Sequence, residues 1–527
     1  MTTDLDPPPD TAPAPAGSGL QRAVAAAIGL LAVGVALGVG DLVAALAAPP
    51  SSPFLAVGNQ FIRLTPEPLK EFATSTFGVH DKQVLLAGMA VVIAVVAALG
   101  GLLSRRSLVP GLALVVVLGL VGATCAAAAP TFTAAYLIAP LVALLAGAAS
   151  FVVLHHLARR AEAPQDPDDD PAAPREARRR LVLGLVAALA GAGVTGFLGR
   201  TLATADAAEA SRDAVGPLPG GNVPPPPAAD FAASGTPPWL TPNADFYRID
   251  TALQVPQIST GEYSLRIHGL VDREIVLSYD QLRRRALVEA PITMCCVSND
   301  VGGDLISNAV FVGVPLRTLL AEAGVRAGAN QIASTSADGF TTGTPVAACT
   351  DGRNAMLALG MNGQPLPIEH GFPVRMVVPG LYGYVSGCKW ITDMELTTFD
   401  AFQSYWQERG WAQQAPVKTQ SRIDVPRADA TVPAGRVTVA GTSWAQHRGV
   451  ARVEVRADGG PWQTAELAAD ASIDTWRMWR TVLTLAAGRH SLQVRATDAT
   501  GATQPEPVTL TIPDGATGWH TVTVTAR

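Results

Sequence analysis

Five long apolar runs fall within the first two hundred residues of this 527-residue chain, and no other feature restricts its fold as strongly. They cover Ala23–Ala48, Val84–Leu103, Leu108–Ala129, Phe132–Leu157 and Leu181–Leu198. Each is near the ~20 residues that a helix needs to cross the hydrocarbon layer of a membrane. A helix in a soluble core rarely stays uncharged that long, so the pattern predicts a five-helix transmembrane region over residues 20–203. The Pro- and Ala-rich stretch 1–19 before it is predicted to be disordered.

Basic residues give the expected orientation. Arg105, Arg106, Arg159, Arg160, Arg175, Arg178, Arg179 and Arg180 fall in segments assigned to the inside. The loop Pro49–Gln83 carries only Arg63, Lys70 and Lys82. The positive-inside rule then puts the N-terminus in the cytoplasm and everything after about Thr201 outside it. Asp41 lies toward the outer end of its run, which favours an interfacial position over a functional intramembrane charge. His155 and His156 are also read as interfacial, because a bis-histidine haem needs ligands on facing helices. Arg178-Arg179-Arg180 before Leu181 acts first as a stop to translocation; it also resembles an internal twin-arginine export signal.

The remainder reads as an ordinary soluble protein, so the averages of 48% hydrophobic and 16% charged residues mix two unlike halves. A net charge of -6 offers no basic footprint and excludes nucleic acid as an expected partner. Five cysteines without regular spacing argue against a disulfide framework. Residues 204–240, rich in Ala, Pro and Gly, are expected to form an extended tether. Residues 241–415 mix short strands and helices, with a period-two strand at Tyr263–Gly269 and a capped helix start at Ser278–Leu282. Phe372–Pro379 reads as a buried strand bounded by prolines. After Pro416 come short alternating runs at Arg436–Ala440, Ala451–Arg456, Thr481–Leu485, Ser491–Arg495 and Val508–Ile512. They predict an immunoglobulin-like β-sandwich over 416–527.

The chemistry-bearing stretch is Pro291–Asp304, where Cys295 and Cys296 end an apolar run before a Gly-Gly turn. A buried cysteine usually acts as a small hydrophobe. The other reading is a soft thiolate that holds a transition metal. No C-x-x-C or H-E-x-x-H completes an ordinary zinc or iron–sulfur site. A metal on Cys296 would therefore take most of its ligands from an organic cofactor. On an extended segment Cys295 points the opposite way, toward the core.

Four motifs in order resemble the sulfite oxidase family of molybdopterin enzymes across roughly residues 238–527. They are Cys296-Val297-Ser298-Asn299, Asn362-Gly363-Gln364-Pro365-Leu366-Pro367, His370-Gly371-Phe372-Pro373-Val374-Arg375, and Lys389-Trp390 after a Gly-containing loop. The resemblance implies a multi-domain chain: the helical region, an α+β molybdopterin domain and a C-terminal dimerisation sandwich. It implies a molybdenum–molybdopterin cofactor with Cys296 as the metal ligand. Phe246, Tyr247, Arg248 and Asp250 fall where the family lines its cofactor, with Arg248 facing substrate. Asn299, Asp338, His370, Arg375, Gly387, Cys388 and Lys389 match further cofactor positions, Asp338 with looser alignment.

The implied reaction is oxygen-atom transfer to sulfite or a related sulfur compound. Asp250 departs from the histidine of animal and plant sulfite oxidases, and an anionic group there would oppose an anionic substrate. The chain has no C-x-x-C-H, no iron–sulfur cysteine set and no G-x-G-x-x-G after a strand. Electrons are therefore expected to leave to a separate acceptor, a quinone or a cytochrome. Two other readings stay open: a sulfoxide reductase on the same cofactor, and a non-enzymatic envelope binding or scaffold protein.

Overall fold

A computed structural model describes residues 20–527 except 67–68, 70–71, 74–75, 78–79, 164–171, 204–206, 219–225 and 227. The stretch 1–19, Lys70 and the Pro/Gly-rich centre of the expected tether lie outside the described residues. The chain divides into two compact units, Met1–Ala205 and Asp206–Arg527.

In the first unit five helices are long and apolar enough to cross a membrane: Arg22–Ala47, Asp81–Leu103, Val109–Ala127, Ala134–Ala161 and Ala173–Leu202. The last begins at Ala173 rather than Leu181 because the arginine-rich segment is itself helical. Arg180 Nε donates to Glu176 Oε1 at 3.0 Å one turn away. Small residues let the helices approach closely: a Cβ on Gly29 would overlap the Ala97 carbonyl, and one on Gly101 that of Ala25. Large apolar side chains point outward, with Leu145, Leu189 and Phe197 each about two-thirds exposed. That inverted arrangement suits an apolar solvent. The unit also holds a helix the apolar pattern did not announce, Pro53–Leu64, with Pro53 at its start. The Ser52 hydroxyl beside it donates to Asp41 Oδ1 at 2.6 Å, so Asp41 is engaged at a helix junction. His155 is buried with Nε2 2.9 Å from the Ser104 carbonyl, beside a loop at the bundle's end, while His156 is exposed.

The second unit begins well before Thr241. The helix Ala207–Val215 and the following segment bury Ala208, Val215 and Leu218 in the main core. Arg212 donates to the carbonyls of Leu366 (3.0 Å) and Pro365 (3.4 Å). Further on, Phe231 and Trp239 are buried in a second cluster. The described part of 204–240 is therefore packed chain rather than an extended tether. Its Ala/Pro composition conceals four large apolar anchors, and those decide the outcome.

Two sheets form the α+β domain. One is mixed, in the order Ile275–Ser278, Ser264–Gly269, Ile391–Thr397, Gln331–Ser336, Thr341–Pro345, its second and third strands running parallel. The other is antiparallel and places Val288–Cys295 beside Ile306–Pro315, followed by Met356–Met361 and Gln364–Pro365. Of the expected strand Phe372–Pro379, only Arg375–Val377 pairs, with Met356–Met361. Ser278 and Gln281 form a reciprocal capping box at the helix Tyr279–Arg283.

Residues 420–526 form two sheets that share one core of Val437, Val439, Trp479, Val453, Leu492, Val494 and Val524 among others. The alternating runs at 436, 451, 481 and 491 lie in its strands. Val508–Ile512 does not form a strand. Prolines at 505, 507 and 513 remove backbone donors around it, and Leu510 stays 84% exposed. The closing strand is His520–Ala526.

Candidate functional site

One wall of the site is the end of the cysteine strand. Val288–Cys295 pairs with Ile306–Pro315 as far as Cys295 opposite Ile306, and the chain then turns. Cys296 N donates to the Leu305 carbonyl at 2.9 Å, and Asn299 N to the Cys296 carbonyl at 3.1 Å. Asn299 Oδ1 accepts from Leu305 N at 2.8 Å, so the asparagine three residues after the cysteine closes the turn from inside. Strand alternation buries Cys295 and leaves Cys296 half-buried, as period two requires. Burial pushes the Cys296 thiol up, opposed by hydrogen bonds from Ser298 and Val297. Nothing in the protein alone makes it a thiolate; a bound metal cation would.

The opposite wall is cationic. Phe246 is buried, its ring 5.4 Å from Tyr247 and 5.4 Å from His370. Tyr247 N donates to Ser307 Oγ at 3.1 Å, which ties this segment to the partner of the cysteine strand. The Tyr247 hydroxyl is held well above its ordinary range by burial and then by the Cys296 and Cys295 thiols, with Arg375 opposing. Tyr247 thus lies within electrostatic reach of both cysteine thiols and of Arg375.

Arg375 is the informative member. It is 5% exposed, Nη1 donates to the His370 carbonyl at 3.2 Å, and Nε has no hydrogen-bond partner. Among the described residues no carboxylate pairs with it, and burial lowers its pKa to about 10. A buried guanidinium with an orphan donor costs several kcal/mol unless an anion meets it. A Cβ on Gly387 would come within 3.0 Å of Met294 Cε and 3.3 Å of Arg375 Nη2. A side chain there would press on both walls and on the Gly383 carbonyl.

Lys389 and Arg248 are differently placed. Lys389 Nζ donates to Asp250 Oδ2 at 3.1 Å and to the Glu369 carbonyl at 3.3 Å. Arg248 Nε reaches the same Asp250 oxygen at 2.9 Å from a half-exposed position. The Asp250 side chain is 3% exposed, so its charge is spent between two cations. Burial brings Lys389 down to about 8 despite Asp250. Burial and the neighbouring Arg375 and Lys389 hold His370 neutral, with a pKa of about 3. Its Nε2 lies 3.2 Å from the Asn243 carbonyl, which makes that nitrogen the protonated one.

Cys388 belongs to the core, its thiol raised by burial and by Asp338. Asp338 Oδ1 accepts from Phe340 N at 3.1 Å in a tight turn. Among the described residues no three or more His, Cys, Asp or Glu side chains are grouped to hold a metal ion. A lone thiol and a buried cation with no carboxylate partner among the described residues fit a cofactor that brings its own metal ligands and an anionic group. Two residues behind the thiol wall escaped the sequence reading: Arg422 and His520, from the sandwich. They lie more than a hundred residues from Cys296, and no spacing signal connects them.

Comparison with known proteins gives the class. Residues 252–406 match the family model for the oxidoreductase molybdopterin binding domain, and residues 411–527 match that for the Mo-co oxidoreductase dimerisation domain. The second unit is thus built as a molybdopterin-binding oxidoreductase. Human mitochondrial sulfite oxidase is 31% identical over 324 residues, covering 51% of this chain and 58% of the human protein. Sulfite oxidase of Gallus gallus is 30% identical over 321 residues, covering 51% of this chain and 69% of the chicken protein. An uncharacterized oxidoreductase of Bacillus subtilis, YuiH, is 30% identical over 150 residues, covering 28% of this chain and 72% of YuiH. The chain spans 58% of the length of the human, macaque and mouse proteins it matches. It belongs to the sulfite oxidase family of molybdenum-dependent oxidoreductases.

Proposed function

We propose that this chain is a membrane-anchored oxidoreductase that oxidises sulfite or a related small sulfur compound outside the cytoplasm. The single observation that carries this reading is the half-buried Cys296 thiol together with Arg375, a buried cation with no carboxylate partner among the described residues. When bound, the molybdenum–molybdopterin cofactor supplies oxygen-atom transfer coupled to uptake of two electrons. Cys296 would be the metal ligand, and Arg375 with Lys389 would neutralise the cofactor's phosphate. His370 stays neutral and orients through its ring N–H. Phe246, Tyr247, Gly387, Asp338 and the Cys388 backbone would line the cofactor, and Asn299 holds the ligand turn. Arg248, the exposed cation, would meet the substrate, with Asp250 limiting how much negative charge is welcome.

The extracytoplasmic position rests on the arginine distribution around the five helices. Electrons would pass to a separate acceptor, a quinone or a cytochrome. The sandwich, of immunoglobulin type in this reading, would pair two copies of the chain, as the dimerisation-domain match supports.

The test is molybdenum content of the full chain from a cofactor-competent host, with a dye-linked assay over a panel of sulfur compounds. Near-stoichiometric molybdenum and oxidation of sulfite or a relative are expected. Protein without molybdenum would sink the enzyme reading. Reduction of methionine sulfoxide from a reduced dye, with no sulfite oxidation, would reverse the direction.

A further inference from the structure

We infer that the C-terminal sandwich also positions the metal ligand: Arg422 and His520, with Trp476 and Asp474, clamp both flanks of the turn that carries Cys296. This inference rests on the proposed role of Cys296 as the molybdenum ligand.

Downstream of Cys296 the turn leaves the strand ladder, so Gly302 and Gly303 have no sheet partner to hold them. Arg422 supplies one. Its Nη1 donates to the Gly303 carbonyl at 2.6 Å, a charge-assisted bond from a guanidinium only 10% exposed. The same guanidinium is fixed from behind: Nε donates to Asp424 Oδ1 at 2.6 Å, and Thr442 Oγ1 donates to Asp424 Oδ2 at 2.6 Å. Beside it His520 sits against Gly302, where an added Cβ would overlap the imidazole. Ile423 N donates to His520 Nδ1 at 2.9 Å and sets the ring's angle.

Upstream, the grip falls on Thr293, three residues before the thiol. Thr293 N donates to the Asp474 carbonyl at 3.0 Å, and its hydroxyl accepts from Trp476 N at 2.8 Å. The hydroxyl also donates to Asn308 Oδ1 at 3.0 Å, which links the clamp to the paired strand. A ligand turn held on both flanks by buried polar groups is preorganised in the way metal sites need from their outer contacts. Arg422 and His520 are thus positioning residues, acting through the turn and not on substrate.

The test compares Arg422→Met, which keeps the bulk but removes the donors, with Arg422→Lys, which can still donate to Gly303. In the molybdenum-loaded full chain, Arg422→Met is expected to lose metal on dialysis about 10- to 100-fold faster. The paramagnetic molybdenum signal during a dye titration should change its shape, and Arg422→Lys should restore much of both. A second arm needs no metal. In protein from a cofactor-deficient host, peptide mapping after iodoacetamide should show faster alkylation of Cys296 in Arg422→Met than in the parent. A lowered unfolding midpoint with unchanged retention, signal and alkylation would overturn the inference and leave Arg422 a packing residue. A parent protein that holds no molybdenum would instead overturn the proposed function, and the alkylation arm would then judge the clamp alone.

Discussion

The two walls of the site solve opposite problems. The thiol wall meets its needs within the protein: a strand end, a turn closed by Asn299 and a clamp from the sandwich, whose Arg422 is paired with Asp424, hold one half-buried sulfur in place. The cation wall carries three positive charges and resolves only some of them within the protein. Arg248 and Lys389 share Asp250, whereas Arg375 is buried without a carboxylate among the described residues. The difference separates geometry that the chain completes by itself from electrostatics that wait for a partner. A buried charge left unpaired is disfavoured in isolation, so its persistence points to an anion that arrives later.

The largest effect should come from removing the sulfur. Cys296→Ser replaces a soft ligand by a hard hydroxyl, and molybdenum content and activity should both fall by about 100-fold or more, beyond the 10–100-fold typical of outer contacts. Full activity in Cys296→Ser would remove the ligand assignment. On the opposite wall, Arg375→Met should move two readouts in opposite directions. The cofactor-free protein should become more stable to urea by about 1–3 kcal/mol, because an uncompensated buried charge is gone. Cofactor retention in the loaded protein should drop. A loss of both would mean that Arg375 has a structural counter-ion, and the contrast between the walls would collapse.

Each wall also has one desolvated neutral histidine, buried His370 and half-buried His520, and acid should reveal both. His370 has its pKa lowered to about 3, and His520, desolvated and next to Arg422, to about 4. In the unfolded chain both titrate near 6.5, so there the unfolded state binds more protons than the folded one. Stability should therefore be full above pH 6.5 and fall as pH drops toward 4, by on the order of 1–3 kcal/mol for each ring. Chemical denaturation across that range checks this. His370→Gln and His520→Gln should each flatten the slope, and an unchanged slope in both would contradict the desolvated neutral state.

Much of this was legible in the sequence, for identifiable reasons. The five long apolar helices arise from runs with few charges, and apolar length is the strongest signal a chain carries. Strand alternation set Cys295 toward the core, where it is buried, while the preference for Cys296 as ligand rests on the family's C-x-x-N motif and belongs to the proposed function. What escaped is non-local or compositional. Arg422 and His520 reach Gly303 and Gly302 only through packing of the sandwich. The segment 207–240 reads as a tether by composition, yet Val215, Leu218, Phe231 and Trp239 anchor it. Val508–Ile512 alternates like a strand, but the prolines around it withhold donors and its apolar side chains stay exposed. Asp250 was expected to oppose an anion; what the sequence did not show is that it lies between Lys389 and Arg248 and binds both.

That last point yields the smallest effect and the finest test of the cation wall. Asp250→Asn keeps the shape and the hydrogen-bonding oxygen but removes the charge that Arg248 and Lys389 share. Arg248 Nε and Lys389 Nζ would then turn more of their field toward an incoming anion. The KM for an anionic substrate such as sulfite should fall about 3- to 10-fold, the scale of one charge interaction near a protein surface. The gain should depend on pH in a definite sense. Lys389 is already lowered to about 8 with Asp250 raising it, so removing that carboxylate should lower it further. The advantage of Asp250→Asn should then be full only well below pH 8, shrink while still below pH 8 as Lys389 loses its proton, and be smaller at high salt. A KM unchanged across pH would place Arg248 and Lys389 away from the substrate path and leave Arg375 as the wall's principal anion contact.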